Sequence, residues 1–184
     1  MKQLKMCRPS GPVAPCALPE GYTYAPYTGA AEEISDWLAI CANGLLPDQA
    51  PSWFESSILK YPDLNPTRDL FFVVDPTGHR VATSVAVSHK NGEGYIHMVG
   101  SLPCCRGRGI GRAMLAKALT ELEARGCAYT TLTTDDHRLP AIRIYLDAGF
   151  RPVLWQDPES DMSARWDAVL ATLGYEPVEY LTEV

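Results

Sequence analysis

Hydrophobic residues recur at helical spacing in three stretches of the chain. In the clearest stretch, Ile110 to Arg125, positions 110, 114, 115, 118, 119 and 122 share one helix face, and Gly126 follows as a stop signal. A second stretch covers Ala30 to Ala42 and ends at Asn43-Gly44, and a third runs near Ala50 to Lys60. The pattern therefore predicts two helices early in the chain and a long amphipathic helix beyond its middle.

Three strands are predicted in a row between Leu70 and Pro103. Turn residues at Asp75 to Gly78 separate the first two, and Asn91-Gly92 lies in the next connection, as in an antiparallel meander. Gly100 interrupts the third strand where a side chain would otherwise pack. An isolated glycine in a strand indicates a bulge or the close approach of another backbone.

The remaining pattern completes a mixed sheet. Gly21 to Gly29 predicts a first strand at a sheet edge, because it contains Pro26. Cys127 to Thr134 is rich in threonine and follows a strand and a helix, so it is expected to pair parallel to the strand before it. The further predicted elements are a helix from Pro140 to Gly149, a strand at residues 151–156, a helix near 161–173 and a closing strand after Gly174.

Length and composition favour one domain. The chain has 184 residues, 46% of them hydrophobic and 21% charged, which is enough for one well-buried core. Residues 1–20 are rich in proline and glycine and predict a loose N-terminal arm, which leaves 21–184 as the domain.

With no run of about 18 apolar residues and no signal-peptide pattern, a cytoplasmic protein without membrane contact is expected. The spacing of the six cysteines fits neither a zinc motif nor a disulfide framework, so no metal site is predicted and reduced thiols are expected, with adjacent Cys104 and Cys105 as small loop residues.

Charge changes the picture around the long helix. Between Glu93 and Glu121 there is no acidic residue but there are four basic ones, on a chain of net charge −6. The glycine-rich segment before the helix would gather backbone N–H groups at the positive end of the helix dipole. The sequence thus predicts a site for phosphate groups, whereas the overall negative charge argues against a nucleic-acid binder.

The glycines decide between several phosphate-binding motifs. A Rossmann fingerprint fails because Arg112 stands where its third glycine or alanine belongs, and a Walker A loop fails because no Gly-Lys pair is present. The segment instead reads Arg-x-x-Gly-x-Gly, from Arg106 to Gly111. A second block, RLPAIRIYLDAGF, runs from Arg138 to Phe150. On these two blocks the chain resembles the GNAT superfamily of acyl-CoA-dependent N-acetyltransferases.

This resemblance implies the fold, the cofactor and most of the site. The implied fold is of the α/β (α+β) class, with a mixed, mostly antiparallel sheet of six to seven strands, flanked by helices and splayed open at the acyl-CoA site. The implied cofactor is acetyl-CoA (coenzyme A), whose pantetheine arm would pair with the third meander strand like an added strand. The implied cofactor-binding residues are Val99, Gly100, Ser101, Leu102, Arg106, Gly107, Arg108, Gly109, Ile110, Gly111, Arg112 and Ala141. Arg138 departs from the family, since many members carry asparagine there.

Two residues are candidates for proton transfer. Tyr145 occupies the position of the family's tyrosine that protonates the coenzyme A thiolate, and Ala141 and Ala148 leave space on its helix face. His97 is the candidate base, because it precedes the loop much as an active-site histidine does in serotonin N-acetyltransferase. An imidazole of pKa near 6.5 would accept a proton at neutral pH, and the alternative is a histidine bonded within the sheet surface. Glu93 and His137 are weaker rivals.

Two classes of function stay open. One is an N-acetyltransferase that acts on the primary amine of a small molecule or peptide by direct attack in a ternary complex. The other is a non-catalytic acyl-CoA-binding sensor or assembly module, and Tyr145 favours the enzyme. The oligomeric state is open, a homodimer included. Aromatic residues on the early helices, and Trp166 on the added C-terminal helix, are expected to pack in the core, with contact to the acceptor as the alternative. Arg165 is a candidate to cap the acceptor pocket together with Trp166.

Overall fold

The computed structural model describes residues 2–154, 161–176 and 178–182. The strands are β1 (Leu4–Pro9), β2 (Thr23–Pro26), β3 (Leu70–Val74), β4 (Arg80–Ser88), β5 (Glu93–Ser101), β6 (Tyr129–Thr134) and β7 (Arg151–Val153). The helices are α1 (Ala31–Cys41), α2 (Pro51–Phe54), α3 (Pro66–Asp69), α4 (Ile110–Ala124), α5 (Leu139–Asp147) and α6 (Met162–Leu173). A π-helical segment, Glu55–Leu59, continues α2, and a short 3₁₀ turn, Pro103–Cys105, precedes the glycine-rich loop.

All seven strands form one sheet in the order β2-β3-β4-β5-β6-β1-β7. The predicted meander is confirmed, because β3, β4 and β5 pair antiparallel in sequence. The pairing of β5 with β6 is parallel, as the intervening helix α4 led us to expect. The predicted fold class, a mixed and mostly antiparallel sheet flanked by helices, is therefore correct.

The two faces of the sheet bury separate cores. Alternate residues of β3 point to opposite faces, so Phe71 packs with the helices α4, α5 and α6 while Phe72 packs with α1 and α2. Trp166 of α6 belongs to the first core and Trp37 of α1 to the second, and both are fully buried. Ordinary packing thus accounts for these aromatic residues.

The N-terminal residues correct one expectation. Residues 1–20 are not a loose arm throughout, because β1 lies between β6 and β7 and pairs antiparallel with both. Leu4 and Met6 are fully buried in the core. The segment contains only one alternating apolar pair, and its partners on β6 lie about 130 residues away, so local periodicity gave no signal for it.

Other boundaries differ by smaller amounts. The strand expected at 151–156 covers only Arg151–Val153, and residues 155–160 lie outside the described part of the chain. The closing strand is reduced to a single parallel bridge between Val153 and Leu181, while Pro177 and residues 183–184 are not described. The added helix is present as α6, Met162–Leu173, and it ends at Gly174 as predicted.

Candidate active site

The sheet opens between β5 and β6. Their parallel pairing extends from Glu93 with Tyr129 to Ile96 with Leu132, although β5 continues to Ser101. On its other side β6 pairs with β1 along its whole length, from Tyr129 to Thr134. The predicted splay therefore begins at His97, and Val99 to Leu102 run along one wall of the opening.

A bulge in β5 accompanies this opening. Thr83 pairs with Gly100 but Val85 pairs with His97, so β5 carries one extra residue between the two pairs. Met98 lies in this bulge with a φ of 50°, which is rare for a residue with a side chain. At Gly100 itself, an added Cβ would lie 3.0 Å from Leu45 Cδ1, so the close approach predicted there involves a side chain of the loop after α1.

The glycine-rich loop leads directly into α4. Gly109 is the N-cap residue with a φ of 82°, and Gly107 has a φ of 74°, so both adopt the left-handed backbone that glycine favours. A Cβ at either position would meet no atom within 4 Å, so the loop faces open space. As in every α-helix, the first N–H groups of α4 have no intrahelical acceptors, and they form the positive end of the helix dipole.

Arginines around the loop have defined partners. Arg106 donates to the Asn43 carbonyl at 3.1 Å, and Arg108 donates to the Tyr22 hydroxyl at 3.2 Å. Arg112 forms an ion pair with Asp147 at 2.6 Å, so it links α4 to α5. Arg106 and Arg108 flank the loop, whereas Arg112 is turned toward the neighbouring helix.

A cavity of about 150 Å³ lies where β5 and β6 separate. It brings together four residues expected at the site, Val99, Ala141, Tyr145 and His97. Eight further residues line it: Gln3, Leu45, Tyr95, Ile96, Met98, Thr133, Thr134 and Arg138. Glu93 and His137, the weaker candidates for the base, are not among the lining residues found in the described part of the chain.

Tyr145 reaches the cavity from α5 and is 7% exposed. Its ring contacts Phe150 edge-on, with 6.0 Å between the ring centroids. Burial raises the pKa of Tyr145 to about 12, because the charged phenolate would lose its hydration. The phenol therefore stays protonated at neutral pH, the state that a proton donor requires.

His97 lies on the opposite wall. Its Nε2 is 3.2 Å from the Ser57 carbonyl oxygen, and its ring stacks on Tyr61 with 4.5 Å between centroids. Burial lowers the pKa of His97 to about 4, although the hydrogen bond to Ser57 acts in the opposite direction. The expectation of a pKa near 6.5 was therefore wrong: His97 is neutral at pH 7, because the second core desolvates it.

The family model of the Acetyltransferase (GNAT) family matches residues 31–150. The chain belongs to the GNAT family. The matched span runs from α1 to the end of α5 and includes the glycine-rich loop and both proton-transfer candidates. It leaves out β1, β2, β7 and α6.

Two curated relatives are each identical to this chain at less than a third of the aligned positions. A mycothiol acetyltransferase from Thermobispora bispora is 31% identical over 157 residues, which are 79% of this chain and 52% of the relative. One from Thermomonospora curvata is 26% identical over 175 residues, 84% of this chain and 54% of the relative. The chain thus spans about half the length of the curated relatives it matches.

Solved GNAT structures have the same fold. A GCN5-related N-acetyltransferase from Sphaerobacter thermophilus superimposes with a TM-score of 0.67 at 25% identity, over 81% of this chain and 47% of that one. This chain thus covers about half of that protein, as it does of the curated relatives.

Several residues of this GNAT site gave little or no signal in the sequence. Tyr95 shares a strand face with His97, so its presence could have been deduced from the alternation of β5. The presence of Gln3 could not have been deduced from the sequence, because Gln3 reaches the cavity through β1, a strand that was not predicted. Arg138 forms a local ion pair with Asp135 at 2.7 Å, and its contact to the Gly44 carbonyl at 2.8 Å depends on tertiary structure.

Two features that the sequence left open have defined contacts in the structure. Cys104 and Cys105 are free thiols with 3.7 Å between their sulfur atoms, and burial raises the pKa of Cys105. Arg165 forms an ion pair with Asp136 at 2.5 Å, so it anchors α6 beside the loop after β6. None of the helices described is long and apolar enough to cross a membrane.

Proposed function

We propose that this chain is an N-acetyltransferase that transfers the acetyl group of acetyl-CoA to a primary amine by direct attack in a ternary complex. The observation that carries the proposal is the convergence of an open sheet edge, a glycine-rich helix N-terminus and one cavity that Tyr145 and His97 share. Membership of the GNAT family supports the same reaction.

Coenzyme A would be bound by backbone groups. Its pyrophosphate suits the loop from Arg106 to Gly111, where the N–H groups and open space at Gly107 and Gly109 allow close approach. Its pantetheine arm suits the free side of β5 between Val99 and Leu102. This arrangement would direct the thioester toward the cavity lined by Ala141 and Tyr145.

The proposed chemistry needs two proton movements. The amine nitrogen attacks the thioester carbonyl carbon, a C–N bond forms, and the C–S bond then breaks. The attacking nitrogen gives a proton to His97, directly or through water, and Tyr145 gives a proton to the leaving thiolate. A histidine of low pKa still suffices, because the amine proton becomes strongly acidic once the C–N bond has formed.

The acceptor is proposed only as a class. The cavity is small, and its polar lining consists of hydroxyl, amide and imidazole groups with the guanidinium of Arg138, which suits an uncharged amine on a polar small molecule or peptide. Two relatives are named mycothiol acetyltransferases, so mycothiol-related amines are the first acceptors to test.

A product assay tests the proposal. The purified chain is incubated with acetyl-CoA and a panel of amines, and the acetylated amine is detected by mass spectrometry. Reagents that detect the released coenzyme A by its thiol are avoided, because the exposed thiols of Cys16 and Cys104 would react with them as well. An acetylated product that requires both the chain and acetyl-CoA supports the enzyme. Coenzyme A binding without product from any amine supports the sensor or assembly module instead.

A further inference from the structure

The segment after α2 has an unusual backbone. Residues Glu55–Leu59 form a π-helical turn, and Lys60 N donates to the Glu55 carbonyl at 2.9 Å, five residues back. Single π turns are rare and are frequently found at functional sites. This one lies against β5, where the Ser57 carbonyl meets the ring of His97.

The sequence leaves the Ser57 carbonyl oxygen without a hydrogen-bond donor from its own turn. In a π turn its donor would be the N–H of the fifth residue along the chain, but that residue is Pro62, which has no N–H. The N–H of Tyr61 is directed to the Ile58 carbonyl at 3.4 Å. Because a carbonyl that is partly shielded from water requires a donor, the bond from His97 Nε2 at 3.2 Å fills this need.

This contact determines the tautomer of His97. A carbonyl oxygen can only accept, so Nε2 must carry the proton. In a neutral imidazole one nitrogen donates and the other accepts, so Nδ1 then holds the lone pair. Nδ1 lies on the other side of the ring from the Ser57 contact.

Stacking fixes the plane of the same ring. Tyr61 lies over His97 with centroids 4.5 Å apart and over Tyr95 with centroids 6.1 Å apart and 4° between the planes. Tyr95 is itself held by Thr133, with 3.0 Å between their hydroxyl oxygens. The stack restricts the tilt of the imidazole and the hydrogen bond restricts its rotation, so together they fix the direction of Nδ1.

We propose that the π turn, with Pro62 and Tyr61 as positioning residues, holds His97 as the Nε2–H tautomer and keeps the Nδ1 lone pair available to the acceptor amine. The inference rests on the proposed function, in which His97 takes the amine proton. When Nδ1 accepts that proton, the bond from Nε2–H to the Ser57 carbonyl stabilises the imidazolium.

Nitrogen-15 NMR of the imidazole rings tests the proposal without reference to activity. The signals of His97 are assigned by their loss in His97→Gln. We expect a single Nε2–H tautomer at neutral pH in the wild-type chain. Observation of the Nδ1–H tautomer there would overturn the proposal, and this measurement needs no variant other than the one used for assignment.

Two variants test the positioning residues. Pro62→Ala restores an N–H that competes for the Ser57 carbonyl, so we expect an Nδ1–H population to appear and kcat/KM for the amine to fall about tenfold, with coenzyme A affinity unchanged. Tyr61→Leu removes the stack and should broaden the His97 signals. Pro47→Ala is the matched control, because Pro47 is also exposed but lies in the loop after α1.

The outcomes distinguish the positioning role of Pro62 from the role of His97 in proton transfer. An unchanged tautomer in folded Pro62→Ala overturns the positioning role. A changed tautomer with unchanged kcat/KM supports positioning and removes His97 from the proposed proton transfer. A lower kcat/KM with an unchanged tautomer assigns the effect to something other than the orientation of His97 and contradicts the inference.

Discussion

At the scale of single residues, burial sets the protonation states in the cavity. The same physical cause acts on both candidates: desolvation keeps Tyr145 protonated and His97 neutral. One residue can then donate a proton and the other can accept one at neutral pH. The family resemblance made both residues candidates, but the reference pKa of about 6.5 was wrong for His97, because the Tyr61 ring that stacks on it comes from a distant part of the chain.

Replacement of Tyr145 by phenylalanine isolates the proton donor. We expect Tyr145→Phe to lower kcat on the order of 100-fold while the affinity for coenzyme A stays the same, because the ring still packs and only the hydroxyl is lost. Steady-state kinetics and calorimetry measure the two quantities. Tyr24→Phe is the matched control, since Tyr24 is partly buried outside the cavity and burial raises its pKa to about 12 as well. Equal kcat in both variants would show that Tyr145 is only structural.

At the scale of elements, a buried carboxylate holds the start of α1. Glu33 accepts hydrogen bonds from the backbone N–H groups of Thr28, Gly29 and Ala30 at 2.8 to 3.2 Å, and it pairs with Arg80 at 2.9 Å. Burial acts to raise the pKa of Glu33, but the bonds from Thr28 and Ala30 and the charge of Arg80 outweigh it, so the pKa is lowered.

This lowered pKa predicts an acid-dependent loss of stability. A carboxyl whose pKa is lower in the folded state stabilises the fold above its unfolded pKa of about 4.5, and this contribution is lost as the pH falls through the folded value. We expect Glu33→Gln to reduce the free energy of unfolding by about 2 kcal/mol at pH 7 and to weaken its acid dependence. Urea unfolding at several pH values measures both, with exposed Glu32→Gln as the control. Equal stability of the two variants would contradict this account.

Local patterns predicted most elements but not all of them. The meander and α4 were found because their periodicity lies within the segment itself. The π turn was not, because its hydrogen bond from Lys60 N to the Glu55 carbonyl leaves no mark on the spacing of the apolar residues. The Arg106 and Arg138 contacts to the loop after α1 were likewise missed, since they join segments that only the folded chain brings together.

At the scale of the whole molecule, β1 completes the sheet. It joins β6 to β7 and carries Gln3 to the edge of the cavity, so the N-terminal strand links the core to the site. This strand also lies outside the span matched by the family model. It could not be predicted from its own six residues, because its burial comes entirely from long-range pairing.

A core substitution in β1 tests this structural role. Met6 is fully buried, so we expect Met6→Ala to lower the free energy of unfolding by about 2–5 kcal/mol through lost burial and the cavity left behind. Ser10→Ala, at an exposed position just beyond the strand, should change it by less than about 0.5 kcal/mol. Thermal and urea unfolding provide the measurement. A Met6→Ala chain as stable as the wild type would mean that β1 is not part of the folded core.

The central claim is that coenzyme A binds at the loop before α4, and calorimetry with coenzyme A tests it most directly. Gly109→Val places a branched side chain in the open space proposed for the phosphates. Gly78→Val is the control, because Gly78, in the turn between β3 and β4, has a φ of 89° against 82° at Gly109, so valine imposes similar backbone strain at both positions. The account predicts that the wild type and Gly78→Val bind coenzyme A alike and that folded Gly109→Val binds at least about tenfold more weakly, a loss of about 1.4 kcal/mol. Equal affinity in all three proteins would contradict it.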